Sequence, residues 1–98
     1  MAGMVSNYET VVVFKVGLGE EGVAALVDKV KALIEKNGTL VSVDEWGKRK
    51  LAYTIEDETD GYYVLFNFSS ESEFPAELDR IYKITDGILR SLIIKKEV

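Results

Sequence analysis

Residues 39–68 read TLVSVDEWGKRKLAYTIEDETDGYYVLFNF, and the alternation within them decides the architecture. Tyr62, Val64, Phe66 and Phe68 fall on one side of an extended chain, and Tyr63, Leu65 and Asn67 on the other, which predicts a strand over 62–68. Thr39 to Ile55 predicts a second, longer strand broken at Gly47, after which Leu51, Tyr53 and Ile55 restart the pattern. An isolated glycine in a strand marks a bulge that changes the face shown by the residues after it. The acidic turn Glu56-Asp57-Glu58-Thr59-Asp60-Gly61 separates the two strands, so they form a hairpin.

Working outward, Val23, Leu26, Val27, Val30, Leu33 and Ile34 lie at the spacing of one helical stripe ahead of the hairpin. Glu20 and Glu21 suit the positive end of that helix dipole, and Asn37-Gly38 is read as a left-handed stop. Before the helix, Tyr8–Val16 (YETVVVFKV) alternates Tyr8, Thr10, Val12, Phe14 and Val16 against Val11 and Val13. Both faces are apolar, so this is a central strand with its second face at least partly covered. After the hairpin, Pro75 suits a first helical turn, Phe74, Leu78, Ile81, Tyr82 and Thr85 form a stripe, and Asp86-Gly87 ends it. Ile88–Lys95 is the last strand.

The order β-α-β-β-α-β, with right-handed crossovers around a central hairpin, predicts a ferredoxin-like α+β sandwich. Its four-stranded antiparallel sheet should carry both helices on one face, with spatial strand order two-three-one-four. Met1-Ala2-Gly3-Met4 holds two candidate starts. Residues 1–7 are therefore read as a flexible N-terminus, part of it a cloning remnant, and residues 8–98 as a single domain.

Composition narrows the function. The 98 residues include no cysteine and no histidine, which removes thiolate metal sites, disulfides, and the commonest general base and metal ligand. No apolar run approaches the roughly 20 residues of a membrane span, and no signal peptide opens the chain, so a cytoplasmic protein is expected. Catalysis is poorly supplied. The acids at 56–60 read as a solvated hairpin tip, and Ser69, Ser70 and Ser72 have no histidine partner. Gly17-Leu18-Gly19 lacks the third glycine and the lysine of a phosphate cradle. No enzyme, cofactor or metal is expected.

The net charge of −5 argues against a nucleic-acid binder in general. The distribution matters more. Lys48, Arg49 and Lys50 are consecutive beside Trp46 and the bulge glycine, and Arg90, Lys95 and Lys96 lie near the C-terminus. Two readings stand side by side: phosphate contact with Trp46 stacking on a base, or an edge strand guarded by cations against aggregation.

Trp46-Gly47-Lys48-Arg49-Lys50-Leu51-Ala52-Tyr53, with Ile55 following, resembles the signature of the ribosomal protein S6 family. Tyr8-Glu9 resembles the opening of that family's first strand, and Asp86 to Lys95 its last strand, including Arg90. Similarity runs over nearly the whole chain from Tyr8. It departs at Ser6-Asn7, where relatives often carry basic residues, and at Thr54, where many carry proline. The resemblance implies a structural constituent of the small ribosomal subunit. It further implies binding to small-subunit ribosomal RNA together with a small basic ribosomal protein, S-eighteen. Such a partner would supply phosphate neutralisation that an acidic chain lacks. Lys48, Arg49, Lys50 and Arg90 are then the RNA-facing candidates, joined by Tyr8 and Trp46. Tyr53 is expected to pack with Leu51 and Ile55. Val11, Val13, Tyr63 and Leu65, on the second sheet face, are candidates for the partner. The same apolar face keeps open a regulatory module that binds a small metabolite at a dimer interface. An acylphosphatase-like enzyme would want a cation in the loop after strand one, and 17–21 has none.

Overall fold

A computed structural model describes residues 5–55 and 58–96. The elements are β1 (Val5–Lys15), a 3-10 turn (Val16–Leu18), α1 (Gly19–Asn37), β2 (Gly38–Ile55), β3 (Glu58–Glu71), α2 (Phe74–Ile84) and β4 (Ile88–Lys95). The strands form one sheet in the order β2-β3-β1-β4, each antiparallel to its neighbour, as the ferredoxin-like reading requires. No described helix is long and apolar enough to cross a membrane.

Alternation on β1 and β3 builds the core. Tyr8, Thr10, Val12 and Phe14 pair with Phe68, Phe66, Val64 and Tyr62, and side chains directly opposite share a face. That face meets both helices: Val23, Val27, Val30 and Ile34 from α1, and Phe74, Leu78 and Tyr82 from α2. Each such apolar side chain contributes about 1.5–3 kcal/mol when fully buried. Leu26 and Ile81, expected at the centre, are only half-buried at the margin. The β-branched residues of α1 fill the middle of the interface. Leu26 instead packs on the chain at Gly87, where an added Cβ would come within 2.8 Å of its Cδ1.

Two further features differ from the sequence reading. Residues 5–7, read as a flexible lead-in, pair with Glu71, Ser70 and Ser69, because β3 runs past Phe68 and offers them a partner. Met1 to Met4 lie outside the described residues, as do Glu56 and Asp57 of the acidic turn. Gly38 is not a left-handed stop; its φ of −172° is extended, and β2 starts there with no loop after α1. Glycine is required for a different reason. A Cβ at residue 38 would run into the carbonyl oxygen of Ser69 on β3.

The edge strand β2 is irregular. Its pairing with β3 shifts register between Leu40 and Ser42, between Glu45 and Gly47, and between Lys50 and Ile55. The second shift is the bulge expected at Gly47, whose φ is +86° and which leaves Trp46 as the extra residue.

Candidate nucleic-acid interface

The sheet face away from the helices carries the candidate site. Across it, Val13 lies between Tyr63 and Arg90, Val11 between Leu65 and Leu92, and Glu9 between Asn67 and Ile94. Opposite Tyr63, Leu65 and Asn67, β2 contributes Gly47, Asp44 and Ser42. Val11, Tyr63 and Leu65 are half-exposed, while Leu92 (55%) and Ile94 are exposed. Together they make an apolar strip with open surface. Val13 does not belong to that surface, being only 4% exposed. Gly61 on β3 has no side chain to fill the space beside it, and Leu51 and Tyr63 close over the gap.

The bulge turns Trp46 onto this face. Its ring stacks on Tyr63 with centroids 6.4 Å apart, its indole N–H donates to Asp44 Oδ2 at 3.0 Å, and the Arg49 guanidinium sits 5.5 Å from the ring centroid. A cation over an aromatic face is held by the ring quadrupole, and Arg49 thus has a defined resting place.

The three consecutive cations do not form one patch. Strand alternation sends Lys48 and Lys50 to the helix side, opposite Tyr62 and Asp60, and Arg49 alone to the outer side, opposite Gly61. Lys48 lines a cleft of about 480 Å³ with Val16, Glu20, Val23, Glu45 and Tyr62. There the Tyr62 hydroxyl donates to Glu45 Oε1 at 2.9 Å. That bond, then burial and the negative charge of Glu45, raise the phenol's pKa.

Arg90 joins Arg49 on the outer face. Its guanidinium lies 5.2 Å from the centroid of the Tyr53 ring and donates an N–H to the Tyr53 hydroxyl. Tyr53 was expected to pack with Leu51; instead Leu51 is buried and Tyr53 is 58% exposed. Tyr8 is not on the surface at all. It is 5% exposed on the helix-facing side of β1, with its ring 5.5 Å from that of Phe68. Of the six RNA-facing candidates, the structure therefore brings Trp46, Arg49 and Arg90 to one face, sends Lys48 and Lys50 to the other, and buries Tyr8. Sequence reasoning missed Tyr53, Leu92 and Ile94 as residues of this face. The two-residue period Arg90, Leu92, Ile94 was the available signal for the last two.

The described residues of this face thus offer guanidinium donors resting on aromatic rings beside an apolar strip. The antiparallel sheet in the order β2-β3-β1-β4, with both helices on one face, defines a ferredoxin-like α+β protein. Comparison with known proteins identifies the family. The family model described as Ribosomal protein S6 matches residues 7–95. The small ribosomal subunit protein bS6 of Clostridium perfringens (strain SM101 / Type A) is 54% identical over 92 residues, covering 93% of this chain and 97% of that relative. The protein of the same name from Thermoanaerobacter pseudethanolicus is 50% identical with the same coverage of each. The crystal structure of 30S ribosomal protein S6 from Thermotoga maritima matches with a TM-score of 0.89 at 28% identity, over 95% of this chain and 89% of that one. The chain belongs to the ribosomal protein S6 family. It is accordingly a ribosomal protein of the small subunit, a structural protein and not an enzyme, and the metabolite-binding reading is not favoured.

Proposed function

We propose that this chain binds small-subunit ribosomal RNA jointly with a small basic ribosomal protein, S-eighteen, and does so through the outer face of its sheet. One observation carries the reading: Arg49 and Arg90, each resting on an aromatic ring, share that face with an apolar strip of half-exposed Val11 and Leu65 and exposed Leu92 and Ile94. Cations hold phosphate, and a half-apolar surface of this kind is what a protein partner covers. With a net charge of −5, the chain alone is repelled by RNA at long range. A basic partner docked on the strip offsets that repulsion and places both proteins' cations on one RNA surface. The relatives' names place them in the small ribosomal subunit, and the same cytoplasmic assembly is the setting proposed for this chain.

The test is a salt series of binding to small-subunit ribosomal RNA, with each protein alone and with both. Weak binding alone is expected, and joint binding whose affinity falls steeply with salt. Tight binding by this chain alone, unchanged on adding the partner, would overturn the division of labour.

A further inference from the structure

Arg90 lies on the edge strand β4, and Tyr53 comes from β2, the strand at the opposite edge of the sheet. Regular pairing would keep these two apart by the width of two strands. The register break between Lys50 and Ile55 removes that restriction, because it lifts 51–54 out of the β2–β3 ladder. Leu51 anchors the lifted stretch. It is buried over Gly61, where a Cβ would stand 3.2 Å from its Cδ2 and would also collide with Val13. Gly61 thus opens the seat, Leu51 and Val13 fill it, and the chain beyond Leu51 delivers Tyr53 to Arg90. Tyr53 gains little burial there, so packing is not what it contributes. What it provides is two contacts to one guanidinium, a ring beneath it and a hydroxyl that accepts one of its N–H groups.

We propose that Tyr53 is a positioning residue that holds the Arg90 guanidinium ready for an RNA phosphate; this rests on the reading of Arg90 as an RNA contact. A guanidinium carries five N–H donors in a rigid fork, and the hydroxyl of Tyr53 takes one, leaving a bidentate edge for phosphate oxygens. An unsupported arginine on an edge strand would lose most of its rotamer freedom on binding. Arg90 has already given up part of it in the free protein, so less is lost on contact. Among the described residues the ion pairs are Arg80 with Glu77 and Lys83 with Asp79, so no described carboxylate competes for Arg90.

The experiment measures binding of the two-protein pair to small-subunit ribosomal RNA across a salt series, for Arg90→Ala, Tyr53→Ala, Tyr53→Phe and the double variant Tyr53→Ala/Arg90→Ala. Arg90→Ala should weaken binding about tenfold or more and reduce the slope of log affinity against log salt by about one phosphate contact. Tyr53→Ala should weaken binding about threefold or more while leaving that slope unchanged, since no charge is lost. The double variant should bind no worse than Arg90→Ala. Tyr53→Phe, which keeps the ring, should fall between wild type and Tyr53→Ala. Relaxation of the Arg90 side-chain Nε in the free protein should show a more mobile guanidinium in Tyr53→Ala, a readout that loss of mere packing would not produce. If Arg90→Ala weakens binding and Tyr53→Ala does not, or if their effects add in the double variant, the positioning role is wrong and the RNA contact stands. If Arg90→Ala binds like wild type, both fail.

Discussion

The hydroxyls of Thr10 and Tyr82 meet at 3.2 Å inside the core, joining the central strand to α2. Burial pushes the Tyr82 phenol well above the ordinary tyrosine range of about 10; the bond to Thr10 opposes this, and the charge of Asp79 adds to it. The unfolded chain therefore releases this proton first. The linked stability is intact below about pH 10 and declines as pH rises above it. Unfolding free energy measured from about pH 9 to about pH 11 should fall, and fall less steeply in Tyr82→Phe. That variant should also cost about 1–2 kcal/mol at neutral pH, since the Thr10 hydroxyl is left buried without its partner. An identical alkaline slope in the variant would contradict the assignment.

The α1 stripe makes a ranked prediction. Ile34 is fully buried and Leu26 half-buried. Ile34→Ala should cost about 2–5 kcal/mol in denaturant unfolding, because a cavity remains where packed methyl groups were. Leu26→Ala should cost clearly less. Equal costs would mean that the helix is rotated from the orientation described.

Gly38 and Gly47 should differ on substitution by alanine. At Gly38 the new methyl meets the Ser69 carbonyl oxygen, a backbone atom that cannot swing aside. A loss of about 1–3 kcal/mol follows from overpacking. Gly47 faces open space, and only its φ of +86° is penalised, at about 1 kcal/mol. Thermal unfolding of the two variants checks the order.

The split of the basic run between faces predicts unequal single variants. Arg49→Ala should reduce sedimentation of the chain with small ribosomal subunits more than Lys48→Ala or Lys50→Ala, because only Arg49 shares the outer face with Arg90. Loss distributed evenly over the three would show that the run acts as a diffuse charge and that strand alternation is irrelevant to it.

Periodicity carried the fold because it reports which side chains must leave water together. The stripes at Val12 and Phe14, at Val27 and Val30, and at Phe66 and Phe68 all met in one core. Boundaries were less legible. The polar residues Ser69 and Ser70 look like a helix approach, yet Ser70 is buried in β3 against β1. The candidate site was half legible. A run of three cations reads as a patch in one dimension, but the two-residue period of a strand splits it. Tyr8 was misplaced because a tyrosine opening a strand serves as well in a core as on an RNA surface, and Phe68 decided between them. The contact of Tyr53 with Arg90 depends on a register break and on the absence of a side chain at Gly61, and neither follows from local pattern.

The direct passage from α1 into β2 limits where this chain can change length. With Asn37 helical and Gly38 already paired to Ser70, no slack exists to absorb an inserted residue. One extra residue at that point would slide β2 by one position and exchange its faces, unless a bulge took it up. Arg49 would then point toward the helices, and Lys48 and Lys50 would inherit its place outside. Insertions and deletions among natural variants should accordingly avoid this junction, because a change of one residue there would alter which cations the outer face of the sheet presents.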